Sequence, residues 1–159
     1  MCCVIATIGG CTGADPGPAT GAATVTHVVD GDTIDVRIGE HEERVRLIGI
    51  DTPETKKPNF PIECFGPEAS AFTASLLPIG TRVRIERDLV GRDDYGRLLG
   101  YVYLDRDVTP DTFVNMEIIR QGYATPLTIE PNSTYARDFA KAAGEAEAAG
   151  LGLWAACSP

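Results

Sequence analysis

The sequence contains little of what marks several large classes of protein. Its two histidines, His27 and His41, have no metal-ligand spacing with any cysteine, which argues against a zinc site. Lysine and arginine total 14 against 23 for aspartate and glutamate, so the formal net charge is −9. That charge argues against a protein that coats nucleic acid through a broad basic surface. No run approaches the ~20 apolar residues that cross a bilayer, so we expect a soluble folded part whose phosphate contacts are local.

The length and composition fit one domain preceded by a different segment. A chain of 159 residues with 43% hydrophobic content is long enough for one core and too short for two ordinary domains. We expect residues 1–22, which are apolar and then rich in glycine and proline, to be an export leader and linker, and residues 23–159 to fold. The run ending at Cys11 resembles a bacterial lipoprotein signal, whose cysteine is lipidated. The protein would then be secreted or anchored to the cell envelope by lipid, but no Lys or Arg precedes the run, and a disordered arm is the alternative.

Only two cysteines, Cys64 and Cys157, belong to the expected folded part. They fit two buried free thiols or a disulfide that clamps the C-terminal tail to the middle of the domain. Export favours the disulfide. In either case we expect the pair to lie far from the catalytic residues.

The hydrophobic pattern predicts a β-rich α+β domain. Asp30-Gly31-Asp32 joins the first two strands, in a turn that Gly31 favours by tolerating a positive φ. The predicted strands cover residues 24–29, 33–38, 44–48, 81–86 and 98–104, and the predicted helices begin near 67, 112 and 134 and end near 77, 121 and 149. One helix between the third and fourth strands and two at the C-terminus is the element order of a five-stranded OB-fold barrel.

Two acidic segments suggest a metal site. Ca²⁺ and Mg²⁺ take oxygen ligands, so Asp32 from the hairpin turn, Asp51 from the end of a neighbouring strand and the Thr52 carbonyl are candidate ligands. Each aspartate taken alone also fits an ordinary turn or cap. Pro53 restricts its neighbours to a rigid turn. Glu54 is not needed for the metal, so it is a candidate acceptor of a proton from attacking water.

Two arginines and a tyrosine complete the set. Arg46 and Arg97 present planar forks that match phosphate oxygens, although such arginines often only cover apolar surface with their stems. Tyr95 is a candidate for stacking on a base, or a packing cap. Arg46 and Asp51 would point to opposite faces of a regular strand, about 16 Å apart. We therefore predict a bulge or sharp bend near Gly49.

These segments, in this order, resemble the staphylococcal nuclease (thermonuclease) family over about residues 24–155. The resemblance implies an OB-fold enzyme that uses Ca²⁺ to hydrolyse DNA and RNA by water attack and leaves 3′-phosphates. Position by position, Asp32, Asp51 and Thr52 match the family's metal ligands, and Arg46, Glu54 and Arg97 match its catalytic residues. The likeness is carried by Asp30 to Thr33, Arg44 to Leu47, Ile50 to Thr55, Phe65 to Phe72, Asp93 to Arg97, Val114-Asn115, Arg120 to Gly122 and Pro131-Asn132.

The sequence also departs from that family. Residues 125–130 stand where better-known members carry two tyrosines that flank the nucleotide, and those members are basic where this chain is acidic. We therefore expect weak non-specific affinity for the polymer. The alternatives are a non-catalytic OB-fold module that binds nucleic acid or protein at the cell surface, and a structural surface lipoprotein. No protein partner is implied, and a monomer is expected.

Overall fold

The computed structural model describes residues 21–56, 61–105 and 112–157. Along the chain its strands are β1 (Gly21–Asp30), β2 (Thr33–Ile38), β3 (His41–Leu47), β4 (Gly49–Asp51), β5 (Arg82–Glu86), β6 (Leu98–Leu104) and β7 (Thr125–Leu127). Its helices are α1 (Gly66–Leu76), α2 (Val114–Arg120), α3 (Ala136–Ala148) and α4 (Leu153–Ala156). Five strands close into a barrel in the order β1-β2-β3-β6-β5. The predicted OB-type barrel of an α+β domain is thus confirmed.

The barrel forms because its strands alternate between apolar and polar residues. The inward side chains of Val25, Ile34, Val36, Val45 and Leu47 are completely buried, and each such side chain contributes roughly 1.5–3 kcal/mol relative to exposure. β1 pairs with both β2 and β5, and register shifts near its middle bend it between them. The parallel pairing of β3 with β6 closes the ring. The outward positions of β3 include Arg44 and Arg46, so the outer surface of the barrel carries positive side chains along this strand.

The predicted bend lies at the end of β3. The barrel strand stops at Leu47, and Gly49 has a φ of 82°. A Cβ on Gly49 would lie 2.2 Å from the Phe139 ring, so both the backbone conformation and the packing require glycine. After the bend, β4 leaves the barrel and pairs with β7 in a small antiparallel sheet. Neither of these three-residue strands was predicted.

Asn115 fixes the chain just before the bend. It is fully buried at the start of α2. Its side-chain oxygen accepts a hydrogen bond from the Val102 N–H, and its nitrogen donates to the Ile48 carbonyl, both at 2.9 Å. The carboxamide thereby ties β6 to the residue between β3 and β4. The bend is held in one place relative to the barrel.

The prediction for Gly31 was wrong. Gly31 is not among the described residues with positive φ. A Cβ at this position would instead lie 2.7–2.8 Å from side-chain atoms of Thr52, and the Thr73 hydroxyl of α1 donates to the Gly31 carbonyl at 2.6 Å. Glycine is needed because a Cβ would collide with Thr52, while the hydrogen bond from α1 fixes the turn in this position.

The two ends of the domain differ from expectation in smaller ways. β1 begins at Gly21, while the proposed leader up to residue 20, including Cys11, lies outside the described residues. At the other end, the short helix α4 was not predicted. Cys157, directly after α4, forms a disulfide with Cys64, with a Cα–Cα distance of 5.9 Å. None of the described helices is long and apolar enough to cross a membrane.

Candidate active site

Arg46 is the centre of a cluster at the end of β3. Its Nη2 lies 3.1 Å from Oδ2 of Asp32 and 2.9 Å from Oδ1 of Asp51. Its Nη1 donates to the carbonyls of Leu47 and Ile50, the latter at 2.9 Å. The bend at Gly49 makes this arrangement possible, because it turns Asp51 back toward the residue five positions earlier. Arg46 and Asp51, which a straight strand would separate, are in contact.

Asp32 is fixed by further hydrogen bonds. The Thr52 N–H donates to Oδ2 at 2.9 Å, and the Thr33 hydroxyl donates to Oδ1 at 3.2 Å. Asp32 and Thr52 are both buried. The carboxylate of the hairpin turn and the main chain after β4 therefore form one unit, and the close packing of Thr52 on Gly31 maintains it.

Negative charge is concentrated around this unit. Burial, followed by the charge of Asp32, raises the pKa of Asp30 to about 6. Burial also raises the pKa of Asp51, although Arg46 opposes the shift. Burial is the larger cause of both shifts, and neighbouring carboxylates add to it, so a cation bound here would favour the charged form of both groups. Asp30 was not a predicted site residue, and its only signal in the sequence was its place in Asp30-Gly31-Asp32.

The donor set fits a hard divalent cation. Two carboxylate oxygens already converge on a positively charged nitrogen, and the Thr52 main chain lies beside them. Within residues 21–56, 61–105 and 112–157, no group of three or more His, Cys, Asp or Glu side chains gathers to hold a metal. A metal bound here would therefore take only part of its coordination shell from these side chains. Ca²⁺ and Mg²⁺ accept such a shell, whereas a structural zinc site does not.

Glu54 lies in the turn after β4, and backbone contacts hold it there. Its Oε1 accepts hydrogen bonds from the N–H groups of Thr55 and Lys56, at 2.9 and 2.7 Å. Its own N–H donates to Oε2 of Glu63 at 2.9 Å, and its carbonyl accepts from the Glu63 N–H at 2.9 Å. No motif or spacing in the sequence singles out Glu63. It is also the neighbour of Cys64, so the disulfide lies closer to the candidate catalytic residues than we expected.

Arg97 and Tyr95 lie in a tight turn organised by Asp93. Arg97 Nε donates to Oδ2 of Asp93 at 2.7 Å, while Oδ1 accepts from the N–H groups of Tyr95 and Arg97. Although burial alone would raise the pKa of Asp93, the hydrogen bonds from Arg97 hold it below its usual value. Tyr95 is 85% exposed, and its ring centroid lies 5.4 Å from the Arg97 guanidinium carbon. The pair presents an aromatic face and a cation to solvent.

Two cavities meet at Tyr95 and Arg97. The first, of about 480 Å³, is lined by Arg46 as well as by Leu127 and Ile129. The second, an open groove of about 970 Å³, is lined by Asp30, Glu54 and Lys56 among others. Tyr95 and Arg97 line both. The predicted catalytic and substrate residues Arg46, Glu54, Arg97 and Tyr95 therefore line one or both of these cavities. The predicted metal ligands Asp32 and Asp51 line neither cavity but contact Arg46 at the wall of the first. Leu127 and Ile129 are aliphatic, in the stretch where better-known family members carry tyrosines.

A barrel with carboxylates and arginines gathered at one cleft is the arrangement of a phosphodiesterase. Comparison with known proteins agrees. The family model described as "Staphylococcal nuclease homologue" matches residues 44–156. Thermonuclease of Staphylococcus intermedius is 42% identical over 130 residues, which cover 82% of this chain and 74% of that protein. Thermonuclease of Staphylococcus hyicus is 37% identical over 82% of this chain and 73% of its own length.

A third relative is a Bacillus protein. The SPbeta prophage-derived endonuclease YokF of Bacillus subtilis (strain 168) is 39% identical over 132 residues, which cover 82% of this chain and 43% of YokF. The chain belongs to the staphylococcal nuclease family. It is a nuclease, an enzyme that acts on the phosphodiester bonds of nucleic acid.

Proposed function

We propose that this nuclease hydrolyses DNA and RNA by attack of water on phosphorus, with Ca²⁺ as cofactor, and leaves 3′-phosphates. The observation that carries the proposal is the convergence of Asp32 and Asp51 on Arg46 at the edge of a cleft that also contains Arg97. The identity of the metal and of the bond that breaks is supported by the family resemblance of the same residues.

Asp32, Asp51 and the Thr52 carbonyl would hold the Ca²⁺. When bound, the ion supplies positive charge that offsets the phosphate and the surrounding carboxylates. Because the carbonyls of Leu47 and Ile50 orient the Arg46 guanidinium, it is already fixed beside the cleft before substrate binds. Such preorganised charge stabilises the extra negative charge that develops on phosphorus.

Glu54 acts as the general base. A water oxygen bonds to phosphorus, its proton goes to the Glu54 carboxylate, and the P–O5′ bond breaks. The leaving 5′ oxygen takes a proton from solvent water, and Glu54 later returns its proton to solvent. The products are a 3′-phosphate on one fragment and a 5′-hydroxyl on the other. The N–H groups of Thr55 and Lys56 hold the carboxylate in one orientation. Arg97 lines the same groove as Glu54 and stabilises the transition state as a cation, because a guanidinium does not give up its proton readily enough to be a general acid.

Tyr95 contacts the nucleotide. Its exposure leaves the ring available for stacking on a base, and the neighbouring Arg97 cation adds to that attraction. Leu127 and Ile129 offer only apolar contact on the other side of the first cavity. With a net charge of −9, binding should depend on these local contacts more than on the charge of the whole protein.

The enzyme works in an oxidising compartment, either secreted or anchored to the envelope. The Cys64–Cys157 disulfide supports this location, since such bonds persist outside the reducing cytoplasm. Lipidation of Cys11 and the monomeric state remain predictions from the sequence.

The test is an assay of DNA and RNA cleavage with Ca²⁺ and with EDTA. We expect hydrolysis of both polymers with Ca²⁺, loss of hydrolysis in EDTA, and 3′-phosphate ends on the products. Mg²⁺ should support much less turnover, because it demands stricter octahedral geometry. Binding without cleavage would favour the non-catalytic module, and products with 5′-phosphates would contradict the proposed bond cleavage.

A further inference from the structure

We propose that Glu63 is a positioning residue for Glu54, and that the Cys64–Cys157 disulfide keeps Glu63 in place. This inference depends on the proposed role of Glu54 as general base. It assigns a catalytic purpose to a glutamate and a disulfide that lie outside the metal-binding and catalytic set.

The first observation is the pair of hydrogen bonds between Glu54 and Glu63. Each residue's N–H is bonded to the other: the Glu54 N–H to the Glu63 carboxylate, and the Glu63 N–H to the Glu54 carbonyl, both at 2.9 Å. Both main-chain polar groups of Glu54 are therefore satisfied by one partner. A reciprocal pair of this kind fixes the backbone from which the catalytic side chain projects.

A second contact lies three residues further along. A Cβ on Gly66 would lie 2.8 Å from the Thr55 methyl carbon and 3.1 Å from the carbonyl oxygens of Pro53 and Glu54. The start of α1 therefore lies directly against the turn that carries Glu54. The segment 63–66, which we call the clamp, touches this turn at both of its ends.

The disulfide holds the middle of the clamp. Cys64 is bonded to Cys157, and that end of the chain is itself fixed to the end of α2. The Cys157 N–H donates to the Leu153 carbonyl at 2.9 Å, and the Leu153 N–H donates to the Gly122 carbonyl at 2.8 Å. Because Glu63 and Cys64 are exposed at the surface, burial does little to hold them. The covalent bond supplies the restraint that packing does not.

The backbone conformation of Phe65 indicates that the clamp is strained. Its φ is 68°, and it is the only described residue other than glycine with a positive φ. A residue with a bulky side chain seldom adopts this conformation, so neighbouring contacts must hold it there. Its ring stacks on Tyr123 at 5.2 Å, and the disulfide restrains the residue before it. If the bridge is absent, Phe65 can return to an ordinary conformation, and Glu63 then moves away from Glu54.

The test compares Glu63→Ala with Glu63→Gln. Glutamine retains an oxygen that can accept the Glu54 N–H bond, whereas alanine removes it. We expect E63A to lower kcat by about 10- to 100-fold, as misplacement of a catalytic group does, with KM and the half-saturating Ca²⁺ concentration changed by less than about 2-fold. E63Q should restore kcat to within about 3-fold of wild type. Glu68→Ala is the matched control, since Glu68 is an exposed glutamate of the first turn of α1, and its kcat should not change.

A double variant, Cys64→Ser with Cys157→Ser, tests the role of the disulfide. Assayed well below its melting temperature, it should lose kcat to a similar extent as E63A. Combining it with E63A should produce little further loss, because both changes release the same contact.

Equal kcat for E63A and wild type would overturn the inference, and so would independent, multiplicative losses. If E63A failed to fold, kcat of the cysteine variant would still decide, with wild-type kcat counting against the inference. Wild-type activity of Glu54→Gln would instead overturn the proposed function itself.

Discussion

Replacing Gly49 by alanine tests whether one residue couples the packing of the domain to the geometry of the site. The new Cβ would lie 2.2 and 2.5 Å from two atoms of the Phe139 ring, and Phe139 is completely buried. Overpacking of this kind costs about 1–3 kcal/mol. The φ of 82° adds about 1–2 kcal/mol for a residue with a Cβ. We therefore expect Gly49→Ala to lower the free energy of unfolding by about 2–5 kcal/mol.

Gly80→Ala is the matched control. Gly80 has a φ of 91°, but a Cβ there would meet nothing within 4 Å. It should cost only the conformational part, about 1–2 kcal/mol. Urea unfolding followed by fluorescence or circular dichroism gives the free energy of unfolding of both variants. The difference between their losses of stability is the cost of the collision with Phe139. Equal losses for the two variants would refute the reasoning.

The same substitution should also affect catalysis. β4 begins at Gly49, and a shift of its backbone moves Asp51 relative to Arg46. G49A protein that remains folded should need more Ca²⁺ for half-maximal activity, whereas G80A should not. Unchanged Ca²⁺ dependence in a destabilised G49A would show that the bend is needed for packing alone.

Further predictions concern the catalytic residues and the disulfide. Glu54→Gln should lower kcat by about 10²- to 10⁴-fold while Ca²⁺ binding, measured by calorimetry, is largely kept; a near wild-type rate would contradict the role of general base. Arg97→Lys should lower kcat by about 10²-fold, because an ammonium cannot make the two-pronged phosphate contact, and unchanged turnover would exclude that contact. Removing the Cys64–Cys157 bridge, which spans a sequence separation of 93, should lower stability by up to about 4–5 kcal/mol. An unchanged melting temperature would show that the bridge does not stabilise the fold.

The barrel could be predicted from the sequence because its signals are local. β2 was predicted with its exact bounds, since the alternation in residues 33–38 gives each side chain an unambiguous face. The bend near Gly49 was predicted by a different route. The chemistry required Arg46 and Asp51 to meet, and Gly49 was the residue best able to allow it. The strands β4 and β7 were missed because three residues are too few to show a period.

The details of the site depend on contacts between distant segments, which leave no local pattern. Gly31 looks like an ordinary turn glycine, yet the structure needs it because Thr52 lies against it. Glu63 bonds to Glu54, nine positions away along the chain, so no periodicity in the sequence could connect them. The raised pKa of Asp30 likewise depends mainly on burial, which arises only when the domain folds. The types of residue in the site could be predicted from the sequence, whereas their arrangement depends on the tertiary fold.

The central claim is that Asp32 and Asp51 hold the catalytic cation. The most direct measurement is the Ca²⁺ concentration that gives half-maximal DNA hydrolysis for Asp51→Asn. Asp105→Asn is the control, since Asp105 is also paired with an arginine, but its partner is Arg82, at 2.8 Å, whereas Asp51 is paired with Arg46 of the candidate site. We predict that D51N raises the half-saturating concentration by about 10-fold or more, as loss of a charged ligand weakens a Ca²⁺ site, while D105N leaves it unchanged. An unchanged Ca²⁺ requirement in D51N, or full activity of the wild type in EDTA, would contradict the account.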